Sequence, residues 1–196
     1  WESYLSTTNE YDYYDDEVVC RAIEKTYDIA HNIISDDMSV DRSMKLPSYV
    51  IPDGWTADKA LLEACKRGLV ERDLHQDEQY IDRLKMELQI IKDRGFSPYF
   101  LTMKEMLDIA RTKMLVGPGR GSGAGSLVAY VLNITDVDPI KYGLLFERFL
   151  SIHRKGYPDI DTDVGDRELL IQLLRDQFGS HNVIPISNYN TFKLKT

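Results

Sequence analysis

The sequence predicts a fold of the α/β (α+β) class, with a mainly helical first half and a second half that mixes short strands, loops and helices. Two patterns lead to this prediction. Apolar residues recur at helical spacing through residues 18–113, whereas short apolar runs and a segment of period two follow from residue 114 onward. Hydrophobic residues make up 43% and charged residues 29% of the 196 residues, a composition typical of a globular protein with a sizeable core.

The first half begins with an acidic segment and continues as predicted helices. Residues 1–17 contain acidic and tyrosine residues but no basic residue, which indicates a solvated or partner-contacting lead-in. The spacing of apolar residues then predicts an amphipathic helix over residues 18–34. The polar stretch 35–52 should end this helix.

Three further helices are predicted by caps and periodicity. Thr56 is a suitable N-cap for the first, and Gly68 stands where a left-handed C-terminal residue belongs. The second covers about residues 80–91 and should stop at Gly95. The third covers about residues 99–113.

The second half is predicted to contain short strands around a glycine-rich loop. The apolar run 114–116 leads into the loop GPGRGSGAG, and a helix follows over residues 126–132. The segment LLFERFL is predicted to be helical, and DIDTDV and residues 182–187 are predicted to be strands. Asp166 is a suitable N-cap for a last helix that ends at Gly179.

The net charge of −8 is unevenly distributed along the chain. Residues 1–100 carry 12 basic and 21 acidic residues, whereas residues 101–196 carry 12 and 11. The acidic total argues against a histone-like nucleic-acid binder, but a locally positive surface is expected between Lys104 and Arg120. The two cysteines lack zinc-type spacing, and no signal peptide or long apolar span is visible, so the cytosol is the expected compartment and no membrane partner is predicted.

Three aspartates fall on one face of the predicted strand DIDTDV, namely Asp159, Asp161 and Asp163. Neighbouring members are about 6.7 Å apart at Cα, close enough to share metal ions spaced roughly 3.5–4 Å. Hard oxygen ligands of this kind suit Mg²⁺ or Mn²⁺. The alternative is a solvated edge strand, which is the commoner situation for an isolated Asp-x-Asp. An EF-hand is excluded because Val164 and Leu170 stand where its loop needs glycine and glutamate.

The glycine loop has the composition of a phosphate cradle. Its glycines leave backbone amides accessible, and the predicted helix after it offers a positive N-terminal end. Arg120 adds a fork of donors. A Walker A loop is excluded because the Gly-Lys-Ser/Thr ending is missing, and the match to the loose dinucleotide-binding pattern is weak. A flexible hinge loop remains the alternative if the loop stands alone.

The two motifs together predict more than either alone. A phosphate cradle followed by an Asp-x-Asp strand supplies both halves of a nucleotidyl-transfer site: one half holds a triphosphate and the other holds the metal ions.

The residues also carry a family resemblance. The stretch VGPGRGSGAGSLVAYVLNITDVDPIKYGLLFERFL and the PDIDTD that follows strongly resemble the palm of the bacterial family C replicative DNA polymerases, the DNA polymerase III alpha subunits. LPSYVIPDGWT and RLKMELQIIKDRGFSPYF resemble the same family. The resemblance implies a palm related to the polymerase beta-like nucleotidyltransferases, a mixed sheet flanked by helices. It also implies an incomplete palm domain over residues 18–196, with a mainly helical part (18–113) and a catalytic-motif part (114–196).

The resemblance implies roles for eight residues. Asp159 and Asp161 match the first two catalytic, metal-binding aspartates, and Asp163 matches a third metal-side aspartate in a supporting role. The nucleotide-binding positions that it implies are Arg120, Gly121, Ser122, Arg148 and Arg154. For each arginine the alternative is a surface ion pair, for example of Arg148 with Glu147 or Asp138.

The implied reaction joins a deoxynucleoside triphosphate (dNTP) to the 3′-hydroxyl of a primer paired to template DNA, with Mg²⁺ (or Mn²⁺) as cofactor. The family needs a third catalytic aspartate, fingers and DNA-binding domains, so a complementary polymerase segment is an expected partner and the chain alone is expected to be inactive. The expected location is the cytoplasm of a bacterial or phage-infected cell. Two alternatives remain: a non-catalytic module of the same fold that binds nucleotide or a replication partner, and a dinucleotide-binding enzyme.

Overall fold

The structure is a computed structural model, and it describes residues 16–33, 49–151 and 156–186. The chain divides into two compact units, residues 1–44 and residues 45–196.

The described part of the first unit is a single helical segment. Helix α1 spans Asp16–Asp28 and continues as one π-type turn, Ile29–Ile33. This confirms the helix predicted here, while residues 1–15 of the acidic lead-in lie outside the described residues. None of the helix residues is buried, and the side chains of Val18, Tyr27 and Ile33 are more than half exposed.

The second unit is built from α-helices and two 3-10 turns. Its described α-helices are α2 (Ala57–Glu71), α3 (Glu78–Asp93), α4 (Ser97–Arg111), α5 (Leu127–Val131) and α6 (Arg167–Phe178). The 3-10 turns are Gly121–Gly125 and Phe146–Arg148. Helix α2 packs against α4 and α5, α3 packs against α5, and α4 packs against α6. The segment LLFERFL, predicted to be helical, contains only the second 3-10 turn.

Local side-chain signals set most helix ends. The Thr56 hydroxyl accepts a hydrogen bond from the Lys59 amide at 3.2 Å, and the Asp166 carboxylate accepts one from the Leu169 amide at 2.9 Å. Gly95 follows α3 with φ +71°, and Gly179 follows α6 with φ +89°, a conformation that glycine adopts without strain. These four sequence predictions are confirmed.

Gly68 does not end a helix, contrary to the sequence prediction. It lies inside α2 and is buried, and α2 continues to Glu71. A Cβ atom at Gly68 would lie 1.9 Å from the Val131 carbonyl oxygen in α5. Glycine is therefore present because two helix backbones approach each other closely at this point.

The predicted mixed sheet is wrong for the described residues, which form helices and loops without a β-strand. The segments around residues 116 and 164 meet only as two isolated antiparallel bridges, Val116 with Val164 and Arg120 with Asp161. Between the bridges, Pro118 lacks an amide donor and Gly119 has φ +94°, and both features interrupt a regular ladder. Residues 182–186, predicted to be a strand, are irregular as well.

The core of the second unit contains four buried phenylalanines. Phe96, Phe100 and Phe146 have no exposed surface, and Phe149 is 5% exposed. The ring of Phe149 meets the ring of Phe100 edge-on, with centroids 6.1 Å apart. The segment after the second 3-10 turn is thus fixed against α4.

No described helix combines the length and the apolar character needed to cross a membrane.

Candidate functional site

The glycine loop and the aspartate segment lie directly against each other. The Gly117 amide donates a hydrogen bond to the Asp163 carbonyl at 2.8 Å. At Gly121, φ is +67°, and a Cβ atom would lie 2.6 Å from Oδ2 of Asp161. The positive φ favours glycine here, and the absence of a side chain lets the loop backbone approach the carboxylate closely.

A cavity of about 250 Å³ opens between the loop and the aspartate segment. Ser122 borders it on the loop side and Asp159 on the other side. The remaining wall is formed by Phe149, Leu150, Ser151, Gly156 and Tyr157. The two sequence motifs therefore share one space, as their combined chemistry requires.

Arg120 lies along the acidic face of the aspartate segment. Its guanidinium is 4.0 Å from Oδ1 of Asp161 and 3.7 Å from Oδ1 of Asp163. All three side chains are substantially exposed, so these ion pairs add little stability. They place a positive charge where neighbouring carboxylates would otherwise repel each other.

The described aspartates do not form a metal cage among themselves. Among the described residues, no group of three or more Asp, Glu, His or Cys side chains converges closely enough to hold a metal. Mg²⁺ in enzymes that handle phosphates is commonly held by one or two carboxylates, with water and substrate phosphates as the other ligands. The exposed Asp159 and half-exposed Asp161 fit this mode and do not fit an all-protein cage.

The N-terminus of α5 is occupied by the protein's own carboxylate, so it is not part of the phosphate cradle. Glu87, on α3, accepts hydrogen bonds from the amides of Leu127 and Val128 at 2.9 and 3.0 Å. The next amide, that of Ala129, donates to the Ser126 hydroxyl at 3.1 Å. The prediction that this helix end binds a phosphate is wrong, and the amides of the 3-10 turn remain as candidate phosphate contacts.

Sequence reasoning missed Glu87 and its partner Arg83, although a signal was present. Glu87 falls between Leu84 and Ile91 on the buried face of α3, and it has no exposed surface. Its partner stands four residues earlier, and the Arg83 Nε donates to Oε1 of Glu87 at 2.7 Å. Burial raises the pKa of Glu87, while hydrogen bonds from Leu127, Val128 and Arg83 oppose the rise. The signal in the sequence was an oppositely charged pair four residues apart on the apolar face of a helix, which indicates a buried ion pair.

Of the two remaining predicted arginines, the structure describes Arg148 but not Arg154. Arg148 is exposed at the end of a 3-10 turn, and within the described residues it forms no ion pair with Glu147 or Asp138. Asp138 instead accepts a hydrogen bond from the Tyr80 hydroxyl at 2.6 Å. Burial, followed by this contact, raises the pKa of Tyr80. Arg154 lies outside the described residues.

The aspartate segment also contacts helix α4 through Tyr99. Burial raises the pKa of Tyr99, a hydrogen bond with the backbone of Ile160 lowers it, and the nearby charge of Asp159 adds to the rise. Tyr99 therefore helps to position the backbone between the first two aspartates.

Comparison with known proteins shows the family of this chain. Residues 59–196 match the family described as the bacterial DNA polymerase III alpha NTPase domain. The chain therefore belongs to the DNA polymerase III alpha family, which confirms the resemblance seen in the sequence. The finer assignment to the palm stays a prediction.

Several curated relatives are similar to the chain over most of its length. The DNA polymerase III subunit alpha of Bacillus subtilis (strain 168) is 47% identical over 168 residues, which cover 83% of this chain and 15% of the relative. That of Aquifex aeolicus (strain VF5) is 45% identical over 157 residues, 76% of this chain and 14% of the relative. That of Pseudomonas fluorescens is 40% identical over 189 residues, which cover 89% of this chain and 16% of the relative. The chain thus spans about a seventh of the length of these relatives.

Proposed function

We propose that this chain supplies the nucleotide- and metal-binding part of the palm of a DNA-directed DNA polymerase. The reaction is nucleotidyl transfer from a dNTP to a primer 3′-hydroxyl on template DNA, in the bacterial or phage-infected cytoplasm. Family membership supports the reaction class. The single observation that carries the proposal is the close approach of Gly121 to the Asp161 carboxylate beside a cavity that Ser122 and Asp159 line.

The loop residues bind the triphosphate in this proposal. The backbone at Gly121 and Ser122 faces the phosphates. Arg120 moves from Asp161 and Asp163 to the phosphates when a nucleotide arrives, because a phosphate is a stronger bidentate partner than two carboxylates at 4.0 and 3.7 Å. Arg148 and Arg154 contribute further positive charge near the triphosphate.

The aspartates hold the metal in this proposal. Asp159 and Asp161 ligate Mg²⁺ (or Mn²⁺) together with substrate phosphates, and Asp163 supports them. A bound metal would supply Lewis-acid activation of the primer hydroxyl and would stabilise charge on the leaving pyrophosphate. The protein's part is to present two carboxylates and to hold the α-phosphate beside them.

Activity further depends on a complementary polymerase segment that supplies the third aspartate, the fingers and the DNA-binding domains. The purified 196-residue chain is therefore expected to give no detectable primer extension with Mg²⁺ and four dNTPs. A chimera, in which this chain replaces the matching segment of the Bacillus subtilis subunit, is expected to extend the same primer. The measurement is a gel-based primer-extension assay at equal protein concentration.

The two arms of this experiment have different meanings. Primer extension by the chain alone would contradict the proposal that a partner segment is required. A folded but inactive chimera would contradict the proposed catalysis, and dNTP binding by that chimera would then favour a non-catalytic nucleotide-binding module.

A further inference from the structure

Arg83 and Glu87 form a buried ion pair behind the candidate site, and neither residue lines the cavity. Glu87 is completely buried, and Arg83 has only 19% of its side chain exposed. Charged side chains are rarely buried to this extent unless every charge and hydrogen-bonding group is satisfied.

The Glu87 carboxylate is saturated with donors. Its Oε1 accepts from the Leu127 amide at 2.9 Å and from Arg83, and its Oε2 accepts from the Ser126 hydroxyl at 2.9 Å and the Val128 amide at 3.0 Å. All four partners are donors in these contacts. A neutral glutamine of the same shape would turn an NH₂ group toward some of them.

The Arg83 guanidinium connects the glycine loop to the opposite wall of the cavity. Its Nη2 donates to the Gly125 carbonyl at 3.0 Å and to the Leu144 carbonyl at 3.1 Å. The chain from Leu144 leads through the second 3-10 turn to Phe149 and Ser151, which line the cavity. The two segments are also in close contact, since a Cβ atom at Gly125 would lie 2.8 Å from the Leu145 carbonyl oxygen.

We propose that Arg83 and Glu87 are positioning residues that set the distance between the two walls of the nucleotide site. The inference rests on the proposed function. Glu87 fixes where the glycine loop ends, and Arg83 fixes that end against residues 144–145. Loss of the pair therefore shifts Ser122 relative to the opposite wall and weakens dNTP binding without removing any group that contacts the nucleotide.

The chimera with the Bacillus subtilis subunit provides the test. Glu87→Gln is expected to raise the KM for dNTP by about tenfold, the lower end of what loss of a supporting partner costs. The KM for primer-template should stay within about twofold, since the proposed shift acts on the triphosphate-binding loop and not on a group proposed to bind DNA. Asp82→Asn is the matched control, because Asp82 lies on the same helix in an exposed ion pair with Lys85, and it should change neither constant.

A double variant separates positioning from stability. Removing one partner of a buried ion pair is costly because it leaves the other charge uncompensated. Arg83→Met combined with Glu87→Gln removes both charges, while the glutamine carbonyl oxygen can still accept from the buried amides of α5. This double variant should therefore melt closer to the parent chimera than Glu87→Gln does, yet keep the raised KM for dNTP because the Arg83 contacts are lost. A merely structural pair would give the opposite result, in which KM returns to the parent value as stability returns.

A milder variant decides the question if these variants do not fold at the assay temperature. Arg83→Lys retains the charge but cannot reach Glu87, Gly125 and Leu144 together, so it should raise the KM for dNTP by about threefold. An unchanged KM in Arg83→Lys, or in folded Glu87→Gln, would overturn the inference. Failure of the proposed function is distinguishable from this, because it would appear as a chimera that is inactive or insensitive to loss of Asp161.

Discussion

Replacing Asp161 by asparagine in the active chimera is expected to lower kcat on the order of 10³-fold, equivalent to about 4 kcal/mol of transition-state stabilisation. Asparagine keeps the shape of the side chain but removes the negative charge that, in the proposed mechanism, would hold the metal. The loss should arise in chemistry and not in folding, because the ion pair with Arg120 is exposed and its closest atoms are 4.0 Å apart. Steady-state primer extension and a thermal melt of the same preparation measure the two effects.

Asp163→Asn is the matched control for this substitution. Asp163 lies two residues further along the same segment, its side chain is 70% exposed, and it also pairs with Arg120. In the proposed mechanism it only supports the metal site, so its loss should cost less than about tenfold. Equal effects of the two substitutions would contradict the separate roles, and an Asp161→Asn variant with more than about a tenth of parental activity would contradict a metal-ligating role.

Replacing Gly68 by alanine is expected to destabilise the chain, although helix propensity predicts the reverse. Within a helix, alanine is favoured over glycine by about 1 kcal/mol. The added methyl group, however, would lie 1.9 Å from the Val131 carbonyl oxygen and 2.8 Å from the Val131 carbonyl carbon. These are backbone atoms of α5, so relief requires the two helices to separate.

The expected net effect is a loss of about 2–3 kcal/mol from the free energy of unfolding, or roughly 5–10 °C in Tm. The measurement is urea unfolding and a thermal melt of the 196-residue chain. Gly165→Ala is the control, because its added methyl group would lie 3.5 Å from the Leu115 carbonyl oxygen, an ordinary contact, and its φ is not positive. A stabilised Gly68→Ala chain would show that the helices are not in close contact at this point.

The helices of the second unit could be predicted from the sequence because their signals are local. Thr56 and Asp166 cap their helices by bonds to amides three residues away, and Gly95 and Gly179 follow helix ends. Gly68 is also a glycine, but it is required for a different reason than the glycines that follow helix ends. Its role depends on Val131, 63 positions along the chain, and no local pattern reports such a contact.

The sheet was predicted wrongly because strand periodicity describes one segment and not its partners. The aspartate segment has the expected alternation, but it meets residues 116 and 120 in only two isolated bridges. Between these bridges, Pro118 lacks an amide donor and Gly119 has a positive φ, and both features interrupt pairing. The loop that approaches the aspartates therefore cannot continue as a regular ladder.

The proximity of the two site motifs was predicted from chemistry, whereas the residues that hold the glycine loop in place, Arg83 and Glu87, were not predicted. A phosphate cradle and an aspartate pair must share one space to act on one substrate, and Ser122 and Asp159 border the same cavity. The assignment of the α5 N-terminus to the phosphate failed because Glu87, 40 residues before Leu127, already occupies it. A contact between residues far apart in the sequence leaves no local pattern from which it could be predicted.

The glycine loop and the aspartates are expected to bind one metal-nucleotide complex together. Paramagnetic broadening of backbone amide signals by Mn²⁺ and dTTP, with Mg²⁺ and dTTP as the diamagnetic reference, tests this in the 196-residue chain even when binding is weak. We expect the signals of Gly121, Ser122, Asp159 and Asp161 to broaden more strongly with dTTP than with Mn²⁺ alone, and Asp161→Asn to abolish the effect at the loop. Broadening that is equal with and without dTTP, or loop broadening that persists in Asp161→Asn, would overturn the shared site.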